Sequence, residues 1–282
     1  MPPIASIIEE IDHLQPISDI AGKVMKLLDD PDCGVSELSE IIRHEPALTA
    51  NVLKVANSAY FGLPGKIEDA KQAVVYLGMT QVVDMVLLVS CSTHFKGTHD
   101  GYGLARGELW KSAVAGAILT NDLAEFKGLK RSALVFTGAL LRDIGKVVID
   151  QYIQTAMTQI LNRVKTQAIS FMAAERQVLG VDHSQVGAMV AQKWNFPPLL
   201  NCIVRYYHSP LEAKGCFTEA SVVHLADAMC RKLKIGPGLD DPSYAEDERI
   251  AQSLGLKDAE IKGVIDRFGM KMERVQSIFE VI

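Results

Sequence analysis

The sequence lacks any Cys-x-x-Cys pair: its five cysteines stand at 33, 91, 202, 216 and 230. Zinc ribbons and dithiol redox motifs need closely spaced thiols, so neither is expected. It also lacks a basic-headed leader, since MPPIASIIEEIDHL carries acids where a secretory signal starts with positive charge. With the odd cysteine count, this places the chain in a reducing cytoplasm. Long apolar runs are missing too. The most apolar stretch, VVDMVLLVSC at 82–91, is too short to span a bilayer and contains Asp84, so no membrane partner is expected. Basic excess is absent: the net charge is -5 over 282 residues and no run of Lys and Arg builds a positive face, which argues against nucleic acid as a partner. There is no Gly-x-Gly-x-x-Gly after a strand, no phosphate loop and no Gly-x-Ser-x-Gly elbow.

What is present reads with helical period almost throughout. Ser18 is placed to cap a helix through SDIAGKVMKLLDD, with Ile20, Val24, Leu27 and Leu28 on one stripe and Pro31 beyond it. A second helix starts near Ser36, and Pro46 opens a third, PALTANVLKVAN. After the turn-rich SAYFGLPGK come DAKQAVVYLG and TQVVDMVLLVSCSTHF. KGTHDGYG at 96–103, with three glycines, marks the best internal boundary. Beyond it lie the Ala-rich GELWKSAVAGAILTNDLAEF and helices near 131–142, 146–166, 170–179, 184–194, 198–208 and 217–233. GPGLDDPSYAEDE at 236–248 is a polar loop, and two amphipathic helices finish the chain. No strand pair, heptad run or repeat is found. The expected fold is all-α, with a helical half at 1–98 and a larger one at 99–282.

One stretch poses a sharper question. FTGALLRDIGKVVID, 136–150, is an apolar run meeting Arg142, Asp143 and a glycine. A carboxylate at the inner end of a buried segment is costly unless something binds it. Histidines near acids recur downstream: Asp182-His183, His208, and His224 three residues before Asp227. Separate helices supplying imidazoles and carboxylates are how bundles build internal metal sites. Each of these residues is more simply accounted for as a cap, a surface residue or a singly hydrogen-bonded core group, Asp182 above all as the start of a helix. Cys91 and Cys230, in apolar helices, read as inert buried thiols.

Three stretches together resemble one family. HEPALTANVLKVANSAYFGLPGKIEDAKQAVVYLG is similar to the signature of HDOD domains, bacterial signalling modules related to the HD and HD-GYP phosphohydrolases. ERQVLGVDHSQVGAMVAQKWNFPPLLNCIVRYYHSP and SVVHLAD resemble its second segment and its closing helix. The resemblance spans about 14–233 and implies an HD-domain-like helical bundle preceded by a smaller N-terminal helical subdomain. HD phosphohydrolases hold metal with a histidine, a His-Asp pair and a final aspartate, sometimes with further histidines. By this resemblance the metal-ligand candidates are Asp143, His183, His208 and Asp227. The chain departs from the pattern at Ser112, Arg142 and Tyr207, where the resemblance implies histidines. A serine hydroxyl is a poor replacement for imidazole, and an arginine brings a permanent charge that repels a metal. In one reading that same guanidinium neutralises Asp143 and Asp227 in the metal's place; in the other, Arg142 points outward and leaves Asp143 to a backbone amide.

The resemblance implies a non-catalytic signalling module acting through a signalling protein partner or a small nucleotide ligand, in two-component or cyclic-dinucleotide pathways. No cofactor is then required. A loop at Asn57, Ser58, Tyr60, Phe61 and Lys66 is a candidate binding surface, though a glycine-bearing structural turn accounts for it as well. The alternative is an HD-type phosphohydrolase in which Fe, Mn or Zn on the four ligands activates water. Its candidate catalytic residues are Asp143 together with Lys146 or Arg142, which would stabilise phosphate oxygens.

Overall fold

Helical period is realised along the chain in the computed structural model, which describes residues 4–15, 17, 19–27, 34–126, 128, 133–240 and 248–281. The helices are α1 (Ile4–His13), α2 (Asp19–Leu27), α3 (Val35–Arg43), α4 (Pro46–Ala56), α5 (Ala70–Leu77), α6 (Met79–Phe95), α7 (Glu108–Phe126) and α8 (Ala133–Leu141). They continue with α9 (Ile144–Gln167), α10 (Phe171–Leu179), α11 (His183–Lys193), α12 (Pro198–Tyr206), α13 (Phe217–Lys232), α14 (Glu248–Ser253) and α15 (Asp258–Val281). Among the described residues there is no strand, only an isolated bridge between His99 and Leu104. The fold is all-α. No described helix is long and apolar enough to cross a membrane. The expected cap Ser18, the stop at Pro31, Cys33 and most of the 236–248 loop lie outside the described residues.

Local chemistry sets several boundaries. Asp69 accepts from the Gln72 amide and Ser170 from the Ala173 amide. Asp182 caps α11 in a reciprocal box, its carboxylate taking the Gln185 amide while the Gln185 side chain takes its own N–H. Pro46 and Pro198 open their helices at a position that needs no amide hydrogen.

Around the site, α7 packs between α8 and α13, and α9 between α10 and α11. Small residues on α7 (Ala113, Ala115, Gly116, Ala117) are fully or almost fully buried and let these helices approach closely. α6 joins the earlier helices to this layer, touching α2, α4, α5 and α8, and one hydrophobic cluster runs through all of them. The KGTHDGYG stretch is packed on one side: His99, Gly101 and Tyr102 are buried, while Gly97, Thr98, Asp100 and Gly103 are exposed. Its short 3-10 turn, Asp100–Tyr102, lies on α9 with Tyr102 fully buried.

The cysteine argument for a reducing compartment needs a correction. Cys202 and Cys216 form a disulfide that joins α12 to the start of α13, with Cα atoms 6.3 Å apart. A separation of 14 residues carries no recognisable spacing, so only the fold brings the two together. Cys91 and Cys230 are free and buried, and burial pushes the Cys230 thiol up to about 12, as expected for an inert thiol.

Candidate functional site

The site forms where α8 breaks. Leu141 is its last helical residue and Ile144 the first of α9, so Arg142 and Asp143 occupy a two-residue joint inside the core. Both are buried, Arg142 completely. Two glycines make the joint possible. A Cβ on Gly145 would come within 1.8 Å of the His183 carbonyl, so α9 and α11 meet there backbone to backbone. A Cβ on Gly116 would lie 2.4 Å from Arg142 Nη1, so α7 leaves the space that the guanidinium fills.

Every arm of that guanidinium is used. Nε donates to Asp227 Oδ1 at 2.9 Å and lies 3.3 Å from Asp143 Oδ2. Nη1 donates to the Ala139 carbonyl at 2.9 Å, and Nη2 to the Ser112 carbonyl and hydroxyl at 3.1 and 2.7 Å. Arg142 therefore holds both aspartates. Around it, Arg231 pairs with the other oxygen of Asp227. Lys146 reaches Asp143 at 3.1 Å and Asp240 at 2.8 Å. Three cations thus face three carboxylates. Burial alone would raise the Asp143 carboxyl, but Lys146 and Arg142 outweigh it and hold it well below the usual range. Asp227 is held down in the same way by Arg231 and Arg142. Lys146 is raised: its burial is outweighed by Asp143 and Asp240.

The other flank is made of rings. The Tyr207 hydroxyl donates to Asp143 Oδ1 at 3.0 Å and also stands 3.1 Å from His183 Nε2. His183 Nδ1 lies 2.7 Å from Glu175 Oε2, and the Tyr102 hydroxyl donates to Glu175 Oε1 at 2.6 Å. His208 Nε2 is 3.1 Å from His183 Nε2. An imidazolium at His183 satisfies all of these contacts at once. Nδ1–H then donates to Glu175, while Nε2–H is shared between the Tyr207 oxygen and a neutral His208. The electrostatics agree: burial would lower His183, but the Glu175 charge and hydrogen bond raise it. His208 is pushed well below the usual imidazole range by burial and by His183. His224 Nδ1 donates to the Tyr207 carbonyl at 2.9 Å.

Arg142, Asp143, Lys146, His183, His208 and Asp227 are thereby brought into one network. The three departures from the family pattern join it as well. Ser112 accepts from Arg142, and Tyr207 links Asp143 to His183. The Asn57–Lys66 segment is bonded locally. Asn57 donates to the Leu53 and Ile67 carbonyls and accepts from the Ile67 amide, all at 2.8 Å. Ser58 is buried, Tyr60 and Phe61 meet edge to face at 4.8 Å, and Lys66 is exposed.

Four members were not singled out in the sequence: Glu175, Tyr102, Arg231 and Asp240. Glu175 and Arg231 sit in helices where an acid or base normally marks the wet face, Tyr102 in a glycine-rich turn and Asp240 in a polar loop. Only Arg231 carried a usable signal, lying one helical turn after Asp227.

The HDOD domain family model matches residues 14–210. A Treponema pallidum (strain Nichols) protein is 26% identical over 209 residues, which is 73% of this chain and 39% of the relative, so the match spans less than half of that protein's length. Among solved structures, an HDOD domain protein from Geobacter sulfurreducens superposes with a TM-score of 0.76 at 24% identity, covering 99% of both chains. A candidate phosphohydrolase from Shewanella amazonensis SB2B gives 0.74 at 22%, covering 98% of both. A candidate signal transduction protein from Marinobacter aquaeolei VT8 gives 0.76 at 18%, covering 95% of this chain and 60% of the other. At these identities the likeness is one of fold.

Proposed function

The chain belongs to the HDOD family, and from that premise we propose that it is a regulatory module without turnover, whose HD site has exchanged its metal for an arginine. One observation carries this reading: Arg142 lies between Asp227 and Asp143 and bonds Ser112 behind them. The donors do not suit a divalent ion. Both Asp227 oxygens are taken by arginines, and Asp143 is taken by Arg142, Lys146 and Tyr207. Both ring nitrogens of His183 are also engaged. The three cations already balance the three carboxylates, and a guanidinium cannot give up its proton to make way for a metal. In this reading Asp143, Lys146 and Arg142 are structural, not catalytic, and no cofactor is needed.

The module then works by binding. A signalling protein is the proposed partner, in keeping with the HDOD assignment and with the Marinobacter relative's description. The exposed parts of the Asn57–Lys66 loop are the proposed contact, with Asn57 holding the loop in shape. The test is the metal content of protein purified without chelator, by mass spectrometry, beside an Asp143→Ala control. Well under one Fe, Mn or Zn per chain, with no hydrolysis of bis-p-nitrophenyl phosphate, is expected. Near-stoichiometric metal that is lost in the control would overturn the proposal and favour the phosphohydrolase.

A further inference from the structure

A second candidate site lies away from Arg142, between α2 and the turn joining α11 to α12. A cavity of about 650 Å³ opens there, within the range of small-ligand sites. α2 lines it with Asp19, Gly22, Lys23 and Lys26, spaced three and four apart on one helix face. The opposite wall is Lys193, Trp194, Phe196 and the Pro197-Pro198 lip.

Four features of this groove suit a ligand. Its charge leans positive, with three lysines lining it against one carboxylate, Asp19. Lys193 is committed, donating to the Ile11 carbonyl at 2.9 Å and to Asp12 at 2.7 Å. Lys23 and Lys26 are exposed, and among the described residues no carboxylate forms an ion pair with either. Secondly, the wall is aromatic: Trp194 stands 5.4 Å from His94 and 5.7 Å from Phe196, ring centre to ring centre. Its indole N–H is buried with no acceptor among the described residues. Thirdly, Gly22 sits in the interior of α2, where glycine weakens a helix relative to alanine. A Cβ there would meet nothing within 4 Å, unlike at Gly116 or Gly145. No neighbour demands the glycine, and its effect is to keep the groove floor open. Finally, α12 begins at the lip with proline in the capping position and no side-chain cap, which leaves a partial positive charge at the same end.

Lysines that only solvate a helix account for neither the open glycine nor the indole. We propose that the groove binds a small organic anion built on a planar ring. The ring lies over Gly22 against Trp194 and Phe196, and the anionic group sits between Lys23 and Lys26. Nucleotides and aromatic carboxylic acids share this chemistry. The site is independent of the Arg142 reading, because none of its residues belongs to that network. It is nonetheless connected to it. α11 carries His183 at its first residue and Lys193 at its last, so one rigid helix of about 16 Å runs from the imidazole cluster to the groove.

Calorimetric titration of the full chain tests this, with guanosine 5′-monophosphate and indole-3-acetate as ring-bearing anions and ribose 5-phosphate and inorganic phosphate as ring-free ones. At least one ring-bearing anion is expected to bind with Kd below about 1 mM. The Lys23→Glu/Lys26→Glu variant should weaken it by about tenfold or more, as two attractive charges become repulsive. Gly22→Leu, which fills the floor, should abolish binding, and neither variant should lower the Tm, the leucine raising it slightly by strengthening α2. Preference for the nucleotide or for the indole acid identifies the source. The proposal is overturned if neither ring-bearing anion binds, if ring-free anions bind as well as they do, or if both variants bind like wild type.

Discussion

The two flanks of the Arg142 site solve one problem in different ways. On one, Arg142, Lys146 and Arg231 hold Asp143, Asp227 and Asp240 through permanent charge. On the other, Glu175, His183, His208, Tyr207 and Tyr102 are held by hydrogen bonds whose direction depends on where one proton sits. Arg142, Lys146, Asp143 and Asp227 on the first flank each keep one protonation state across neutral pH. The second has at least two. Asp143 and His183, both buried, can therefore differ in their response to solution conditions, and the difference lies in the chemistry of the partner, not in exposure.

Removing the central cation breaks the comparison most severely. Arg142→Met leaves Asp143 and Asp227 buried with too little positive charge, and a loss of about 3–5 kcal/mol is expected in urea unfolding. A loss under about 1 kcal/mol would mean that Lys146 and Arg231 suffice alone. Glu175→Gln attacks the ring flank, with an expected cost of about 2 kcal/mol at pH 6. Its pH dependence is the sharper test. His183 has a raised pKa when folded, so the stability it contributes is fully present below the unfolded value of about 6.5 and is lost as pH rises through the folded value. The gap between wild type and Glu175→Gln should therefore narrow from pH 6 to pH 9. A constant gap would show that Glu175 acts only as a packing group.

The charged flank should show the opposite window. Asp143 and Asp227 have depressed pKa values, so their stability is present above about pH 4 and is lost as pH falls below it through their folded values. Unfolding midpoints of Glu175→Gln should still drop in that acid range, since the charged flank is intact. The smallest effect belongs to the seam. Tyr207→Phe removes one hydrogen bond to Asp143 and one to His183, with an expected loss of about 1–2 kcal/mol and a shift of the His208 imidazole signals by NMR. Unchanged imidazole signals would separate the two flanks into independent networks.

The sequence made the helices legible because their signals are local: apolar period, Pro46 at a helix start, Asp182 before its box partner Gln185. The pairing of Arg142 with the aspartates was one of two readings that the sequence left open, and the fold chooses it over an outward arginine. What stayed hidden shares one property, namely partners distant in the chain. Glu175 looks like any wet-face acid of an amphipathic helix until α10 is laid against α11 and the Tyr102 turn. The Cys202–Cys216 bond and the groove beside Trp194 likewise exist only after folding, where α12 meets α13 and α2 meets the turn after α11.

Gly116 makes an empty position part of the charge network. A Cβ there would stand 2.4 Å from Arg142 Nη1, so a methyl group at 116 would push the guanidinium away from the Ala139 carbonyl and the Ser112 hydroxyl that now hold it. The residue without a side chain is thereby as much a member of the site as the arginine it faces.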